Sequence, residues 1–412
     1  MDKTTEFKPV YLVIVTSTAN NNKYYKMIPD GNGKTWTAEY GRIGASCQKR
    51  NYSLDLWDKK YREKVNKGYV DQSDLVADLI VEKKTKKDAT YKEIENEAIA
   101  EIVDILQRAA NKAIKDNYTI SSESVTQAMV DEAQKILAGL LTIKRTDKFN
   151  KELLRLFSVI PRKMKNVDDY LAKQPKDFGE IIQREQNTLD IMKGQVIQHS
   201  AVAENETTES DNEKPTETIL DVLGLEFEEC TKEDIARIKT QLGDCANRFN
   251  RAWRVTNKEC QKKFDAFVKK NKIKDTKLLF HGSRTENWWS IIQTGLVLKP
   301  TNAVITGKMF GYGIYYAPKA AKSLNYTSLS GSYWTGGRSK TGYMALMEVA
   351  YGKPYDVYNF DSKYYDFNYE KLQKACKGAN CLHAHAGQML RNDEIVVYNE
   401  AQCTIKYLIE LK

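Results

Sequence analysis

The apolar residues of this chain follow three successive rhythms. Over the first 45 or so positions they cluster in short β-branched and aromatic runs. Tyr11-Leu12-Val13-Ile14-Val15-Thr16 and Tyr24-Tyr25-Lys26-Met27-Ile28 read as strands on either side of an Asn-rich turn. Pro29-Asp30-Gly31-Asn32-Gly33 has the composition of a hairpin loop, and Thr35 to Gly44 continues the sheet. A helix from about Leu54 to Lys67 closes this module. From about Asp88 to Gln198 the spacing lengthens to three and four residues. Ile94, Ala98, Ile102, Ile105, Leu106 and Ala109 form one stripe, and Val125, Met129, Ala133, Ile136, Leu137 and Leu140 form a second. Leu153, Leu156, Phe157 and Ile160 form a third, which Pro161 stops. Such stripes bury themselves against one another, so a helical bundle is expected.

Between Glu204 and Glu217 the rhythm disappears. Six acids and one Lys stand among Thr, Ser, Asn and Pro, the composition of an unstructured linker. Beyond it, a helix is expected around Lys232 to Trp253, followed by aromatic and β-branched strand candidates to the C-terminus. The fold class that follows is multidomain α+β. It comprises a small β-rich module at 1–80, a helical bundle at 88–198, an acidic linker at 199–217 and an antiparallel-sheet domain at 218–412.

Composition narrows the function classes. At 412 residues the chain is long enough for several cores, and no apolar run approaches the ~20 residues needed to span a bilayer. The N-terminus carries Asp2 and Glu6 and no apolar signal core, so an intracellular protein without membrane partners is expected. The seven cysteines are scattered and make no CxxC pair, which argues against a disulfide framework and against zinc fingers of usual spacing. Charge is uneven along the chain. Residues 1–70 hold thirteen Lys/Arg against seven Asp/Glu, most of the net +9, a balance suited to tracking phosphates.

Two segments imitate familiar sites. Gly31-Asn32-Gly33-Lys34-Thr35 ends like a phosphate-binding loop, but Ile28 stands where the first Gly belongs and the segment lies in a hairpin, so a turn is expected. Cys376, Cys381, His383 and His385 place four soft donors within ten residues, in a spacing that matches no standard zinc site. Loop residues without metal are the expectation there.

The chemistry concentrates in three C-terminal segments. Leu278-Leu279-Phe280 is a short strand running into His281-Gly282-Ser283-Arg284. Then come Met309-Phe310-Gly311-Tyr312-Gly313-Ile314-Tyr315-Tyr316-Ala317 and, last, Asn392-Asp393-Glu394-Ile395-Val396-Val397-Tyr398. A His-Gly turn, a Gly-x-Gly-Ile-Tyr segment and a strand-leading Glu in this order closely resemble the His-Tyr-Glu triad of the poly(ADP-ribose) polymerase family. Tyr40-Gly41-Arg42-Ile43-Gly44 after Trp36 resembles that family's WGR domain, with Tyr in place of the signature Trp. Leu156-Phe157-Ser158-Val159-Ile160-Pro161 and Leu189-Asp190-Ile191 resemble its regulatory helical domain.

The resemblance implies an NAD+ ADP-ribosyltransferase in which His281, Tyr315 and Glu394 are catalytic and NAD+ is consumed as substrate, with no metal. His281, Gly282, Ser283, Asn287, Tyr315, Ser323 and Tyr326 would bind the dinucleotide. His281 would hold an adenosine-ribose hydroxyl, Gly282 and Ser323 would grip the nicotinamide carboxamide, and Tyr315 and Tyr326 would sandwich its ring. Ser283 and Asn287 would lie on the adenosine side, and Glu394 would bind the ribose 2′-hydroxyl and polarise the acceptor. Val297 and Lys308 depart from residue types common in the family's nuclear members.

At the N-terminus, Tyr40, Arg42, Lys49 and Arg50 would contact DNA ends or nicks, with Lys59, Lys60 and Arg62 as further phosphate partners. The implied whole is a monomeric polymerase activated by DNA breaks, with itself and other proteins as acceptors. Its place would be the nucleus in a eukaryote, or the cytoplasm and nucleoid in a bacterium. Alternatives left open are a mono(ADP-ribosyl)transferase using the same site and a non-catalytic scaffold that binds DNA ends.

Overall fold

The computed structural model describes residues 7–76, 91–117, 125–206, 216–298, 309–329, 339–388 and 390–412. The chain divides into two compact units, one of residues 1–88 and 113–196 and the other of 89–112 and 197–412.

In the first unit, β1 (Val10–Thr16), β2 (Asn21–Pro29), β3 (Thr35–Arg42), β4 (Gln48–Ser53) and β5 (Val70–Asp71) form one antiparallel sheet in the order β4-β3-β2-β1-β5. Its buried face gathers Leu12, Tyr25, Met27, Trp36 and Ala38. Helix α1 (Trp57–Asn66) closes that face, with the Trp57 ring edge-on to Trp36 at 5.3 Å. The β2–β3 connection is the expected turn. Gly31 and Gly33 have φ of 72° and 67°, and the Asn32 Oδ1 atom accepts from the Lys34 and Thr35 amides. That local network explains why Gly and Asn stand there.

The helical stripes materialise as α2 (Glu97–Asn117), α3 (Gln127–Leu140), α4 (Thr146–Val159) and α5 (Phe178–Glu206). Thr126 caps α3 by accepting from the Met129 amide. Phe149 of α4 stacks on Phe178 of α5 with ring centres 3.9 Å apart. Just past α4, Arg162 and Glu185 form an ion pair with both side chains only 2% exposed. Helix α5 runs eight residues into the stretch expected to be linker, because Ala201, Val202, Ala203 and Glu204 include good helix formers that extend an existing helix cheaply. The rest of the acidic stretch, 207–215, lies outside the described residues, as do Lys308 and 330–338.

The second unit is built on two sheets. One contains β6 (Leu225–Glu229), β7 (Phe249–Asn257), β14 (Cys403–Leu411), β10 (Gly342–Ala350) and β8 (Thr276–Ser283), paired in that order and antiparallel throughout. The other contains β11 (Pro354–Val357), β12 (Cys381–Ala384), β13 (Glu394–Val397) and β9 (Ile314–Tyr316), antiparallel except for the β11–β12 pair. A two-way backbone bridge between Phe280 and Ala317 joins the sheets at the start of the His281 turn.

One expected helix is shorter than its sequence suggested. Helix α6 (Lys232–Leu242) ends where Gly243 adopts φ of 53°, and a short 3-10 segment leads into β7. Trp253 therefore lies in a strand. Phe249, Trp253 and Val255 belong to an alternating aromatic and β-branched run whose burial against the sheet outweighs the helical reading. Helices α7 (Lys258–Lys270) and α8 (Thr285–Thr294) follow β7 and β8.

Candidate active site

The site grows from the joint between the two sheets. Strand β8 runs antiparallel to β10, with His281 opposite Ala345 and Gly282 opposite Met344. The His281 imidazole sits half-buried, edge-on to Trp288 and Tyr316, with Nδ1 3.1 Å from the Tyr315 carbonyl oxygen. That contact makes Nδ1 the protonated nitrogen and fixes the ring plane. Trp288 anchors the following turn, its indole N–H shared between the carbonyls of Ser283 and Tyr343.

Gly282 is required by packing. A β-carbon built there would lie 2.0 Å from the Ser323 carbonyl oxygen, so only glycine lets β8 meet helix α9 (Ala320–Leu324) at this distance. The Ser323 hydroxyl donates to the Phe280 carbonyl at 3.1 Å and locks the same junction. Gly311 answers a similar demand in the next segment. Its φ is 70° and a β-carbon would meet the Phe367 carbonyl oxygen at 2.1 Å.

Tyr315 is held through its hydroxyl, which accepts from the Phe310 amide and donates to the Gly311 carbonyl. Burial pushes this phenol well above its ordinary range, with the nearby Glu394 charge adding to the shift. Its ring is thereby fixed in place. Tyr326 is 51% exposed, an unusual position for a large aromatic and one suited to stacking. Ser283 accepts from the Asn287 side-chain amide at 3.1 Å, and the Asn287 Oδ1 atom is buried without a hydrogen-bond partner among the described residues.

Glu394 opens β13, pairing with Ala384 of β12, and is 5% exposed. One carboxylate oxygen, Oε1, pairs with the Lys322 ammonium from α9. The other, Oε2, is buried with no hydrogen-bond partner among the described residues. Burial raises the Glu394 pKa, and Lys322 acts against that rise. A buried acceptor with a free oxygen is suited to a hydroxyl donor, such as that of a ribose.

Lys322 was not among the residues singled out in the sequence. Its role comes from the burial of Glu394, which calls for a nearby cation, and the sequence does not show which lysine the fold brings to it.

Comparison with known proteins agrees with this geometry. Residues 226–412 match the family described as the poly(ADP-ribose) polymerase catalytic domain, and residues 8–76 match the WGR domain. The chain is 35% identical over 152 residues to poly [ADP-ribose] polymerase-like 100L of Invertebrate iridescent virus 6, covering 36% of this chain and 77% of that protein.

The chain belongs to the poly(ADP-ribose) polymerase family.

Two plant members extend the similarity along the chain. Poly [ADP-ribose] polymerase 2-A of Oryza sativa subsp. japonica is 24% identical over 423 residues, which takes in 92% of this chain and 62% of the relative. Poly [ADP-ribose] polymerase 2 of Zea mays is 25% identical, with 85% and 58% covered. The chain thus spans about three-fifths of these plant relatives. Its C-terminal segment is an NAD+ ADP-ribosyltransferase catalytic domain, with NAD+ as substrate. No helix among the described residues is long and apolar enough to cross a membrane.

The WGR residues have distinct surroundings. Tyr40 is half-buried and stacks on the core residue Tyr25 with ring centres 5.5 Å apart, while the Lys64 ammonium approaches both rings. The Arg42 guanidinium donates to the carbonyls of Asn20, Met164 and Lys165 within the same unit. Its donors are spent on backbone, a different use from the phosphate contact that the resemblance implied. Lys49 and Arg50 are exposed on β4, Lys49 paired loosely with Glu39 and Arg50 lying over Tyr52. Lys59 and Arg62 are exposed on α1, and Lys60 is half-buried.

Proposed function

We propose that this chain is a DNA-break-activated poly(ADP-ribose) polymerase that modifies itself and other proteins and releases nicotinamide. The observation that carries the reading is Glu394, buried beside Lys322 with one oxygen unpaired. In the proposed site His281, Gly282, Ser283, Asn287, Ser323 and Tyr326 hold NAD+, and Tyr315 stacks on the nicotinamide.

The bond between the nicotinamide nitrogen and ribose C1′ breaks first, and its electron pair leaves with nicotinamide. The ribose acquires oxocarbenium character, which the Glu394 carboxylate stabilises through the 2′-hydroxyl. The acceptor oxygen then bonds to C1′ and its proton passes to Glu394. Such a step needs positioning more than a strong nucleophile, in keeping with a site whose polar groups are held by backbone contacts. When the acceptor is the ribose hydroxyl of an earlier unit, the same carboxylate elongates a chain.

The domains divide the work. Residues 1–80 sense DNA through exposed basic residues such as Lys49 and Arg50. Residues 88–198 act as a helical gate whose closed state excludes NAD+, and DNA binding shifts the population toward the open state. Residues 218–412 carry the chemistry. The protein works as a monomer inside the cell, in the nucleus of a eukaryote or on the nucleoid of a bacterium.

The test is incubation of the full chain with labelled NAD+, with and without nicked or blunt DNA. The proposal expects a DNA-stimulated ladder of labelled products. Equal labelling without DNA would remove the gate, and a single sharp band would mark a mono(ADP-ribosyl)transferase.

A further inference from the structure

The half-exposed edge of the second sheet carries a group of side chains that the transferase chemistry does not use. His383 and His385 are two residues apart, so the strand repeat sends both to one face, where their rings stack with centres 4.0 Å apart. Asp356 lies on neighbouring β11, directly opposite His383 in the parallel register. Its Oδ1 atom is 2.7 Å from the His385 Nε2 atom and 3.9 Å from the His383 Nδ1 atom. One donor atom from each of the three residues falls within 4.8 Å of the others.

The outer partners fit as well. The His383 Nε2 atom is 3.0 Å from the Asp393 carboxylate, whose other oxygen accepts from the Ala386 amide. A carboxylate behind a histidine orients the ring and raises the basicity of the opposite nitrogen, the arrangement that supports metal-bound histidines. The His383 Nδ1 atom that faces Asp356 also lies 2.8 Å from the Tyr351 hydroxyl.

From this geometry we infer a binding site for a borderline divalent transition metal ion of the Zn2+ class, held by His383 Nδ1, His385 Nε2 and Asp356 Oδ1, with Asp393 as the outer carboxylate. Two imidazoles and one carboxylate are a donor set such ions accept, and a fourth position remains for water or the Tyr351 hydroxyl. The two aspartates balance the charge of the ion. His385 and Asp356 are exposed enough to admit it, at 25% and 42% of their side-chain surface.

The ligands differ from the four donors grouped by the sequence. Cys381 is fully buried and does not join the three donor atoms. Cys376 packs against the apolar cluster around Leu372 and Leu382. The site adopts instead Asp356, which is distant in sequence and brought in by sheet pairing.

Its position gives it a consequence for the transferase. A bound ion would tie β11 to β12 and, through His383, to Asp393, the residue immediately before Glu394. This part of the inference rests on Glu394 being the catalytic carboxylate, whereas metal binding itself does not.

The test is direct titration. The full chain, stripped with chelator and kept reduced with a phosphine, is titrated with ZnCl2 by calorimetry and with CoCl2 by absorption, with MgCl2 as the hard-ion control. One Zn2+ per chain is expected, together with a rise in melting temperature, a Co2+ spectrum free of thiolate charge-transfer intensity, and no response to Mg2+. His385→Asn and Asp356→Asn, both at half-exposed or exposed positions, should each weaken Zn2+ at least about 10-fold, and Asp393→Asn should do so by about 10-fold or more. Cys376→Ser should leave the affinity unchanged. The proposal is overturned if the wild-type chain binds no Zn2+ beyond what the His383→Asn/His385→Asn double variant binds, or if Cys376→Ser abolishes binding. Both readouts are independent of transfer activity, so failure of the metal site and failure of the polymerase reading are separable.

Discussion

Lys322 of α9 and Glu394 of β13, 72 residues apart in sequence, form an ion pair in which both side chains are largely withdrawn from water. Burial raises the Glu394 pKa and the ammonium opposes the rise. The pair therefore keeps a carboxylate ionised in surroundings that favour its acid form. Lys322→Met should lower turnover by about 100-fold through misplacement of the carboxylate. It should also move the acid limb of the rate profile to higher pH, because the cation that opposes the rise in the Glu394 pKa is gone. The profile of nicotinamide release against pH checks this, and an unmoved limb would count against the pair.

The same carboxylate makes a prediction about stability. A group whose folded pKa is raised stabilises the protein at low pH, and that contribution is lost as pH rises through the folded value. Glutamine does not titrate. The melting temperature of Glu394→Gln relative to wild type should therefore increase as pH climbs upward from the ordinary glutamate range. Thermal melts of both proteins across that range test the sign, and a difference that shrinks with pH would contradict the raised pKa.

Gly282→Ala places a methyl group where the Ser323 carbonyl oxygen already sits, 2.0 Å away. Strand β8 and helix α9 must part, at about 1–3 kcal/mol for such overpacking. Because His281 and Ser323 flank the contact, the affinity for NAD+ should fall along with stability. Denaturant melts and NAD+ titration measure the two losses, and a fully stable variant would show that the junction yields elsewhere.

In the helical part of the first unit, Arg162 and Glu185 are buried as a pair. Glu185→Ala removes the carboxylate that faces the buried Arg162 guanidinium and should cost about 3–5 kcal/mol. Replacing both residues with methionine should restore most of that loss, since the penalty comes from burying a charge without its counter-charge. Urea melts of the single and double variants separate these outcomes.

At the WGR module, Lys49 and Arg50 are exposed on the surface while Arg42 is engaged with backbone carbonyls. If Lys49 and Arg50 meet DNA phosphates, changing each to Gln should flatten the salt dependence of binding by about one charge apiece. Arg42→Ala should leave that slope in place and lower thermal stability instead. A slope that falls with Arg42→Ala would return Arg42 to the phosphate contacts.

Much of the fold was legible because its elements advertise themselves locally. The Gly31 to Gly33 turn, the stripe ending at Pro161 and the strand runs around Tyr11 and Tyr24 each depend on neighbours a few residues away. Trp253 was misread as helical because its strand character comes from burial against Leu408 of β14, a partner more than 150 residues distant. The extent of α5 escaped for the opposite reason, since a helix already nucleated carries on through a polar sequence. At the site, His281, Tyr315 and Glu394 were marked by residue order alone. Lys322 and Asp356 were invisible because their roles arise from pairing between elements that the sequence does not join.

The central claim is that Glu394 carries the transfer of ADP-ribose from NAD+. Its most direct test is release of nicotinamide and labelling of protein by the full chain with labelled NAD+ and nicked DNA, wild type beside Glu394→Gln, with NAD+ binding measured in parallel. The expected result is retained NAD+ binding and a loss of transfer of roughly 100- to 10,000-fold in the variant. Transfer at the wild-type rate by Glu394→Gln would contradict the account.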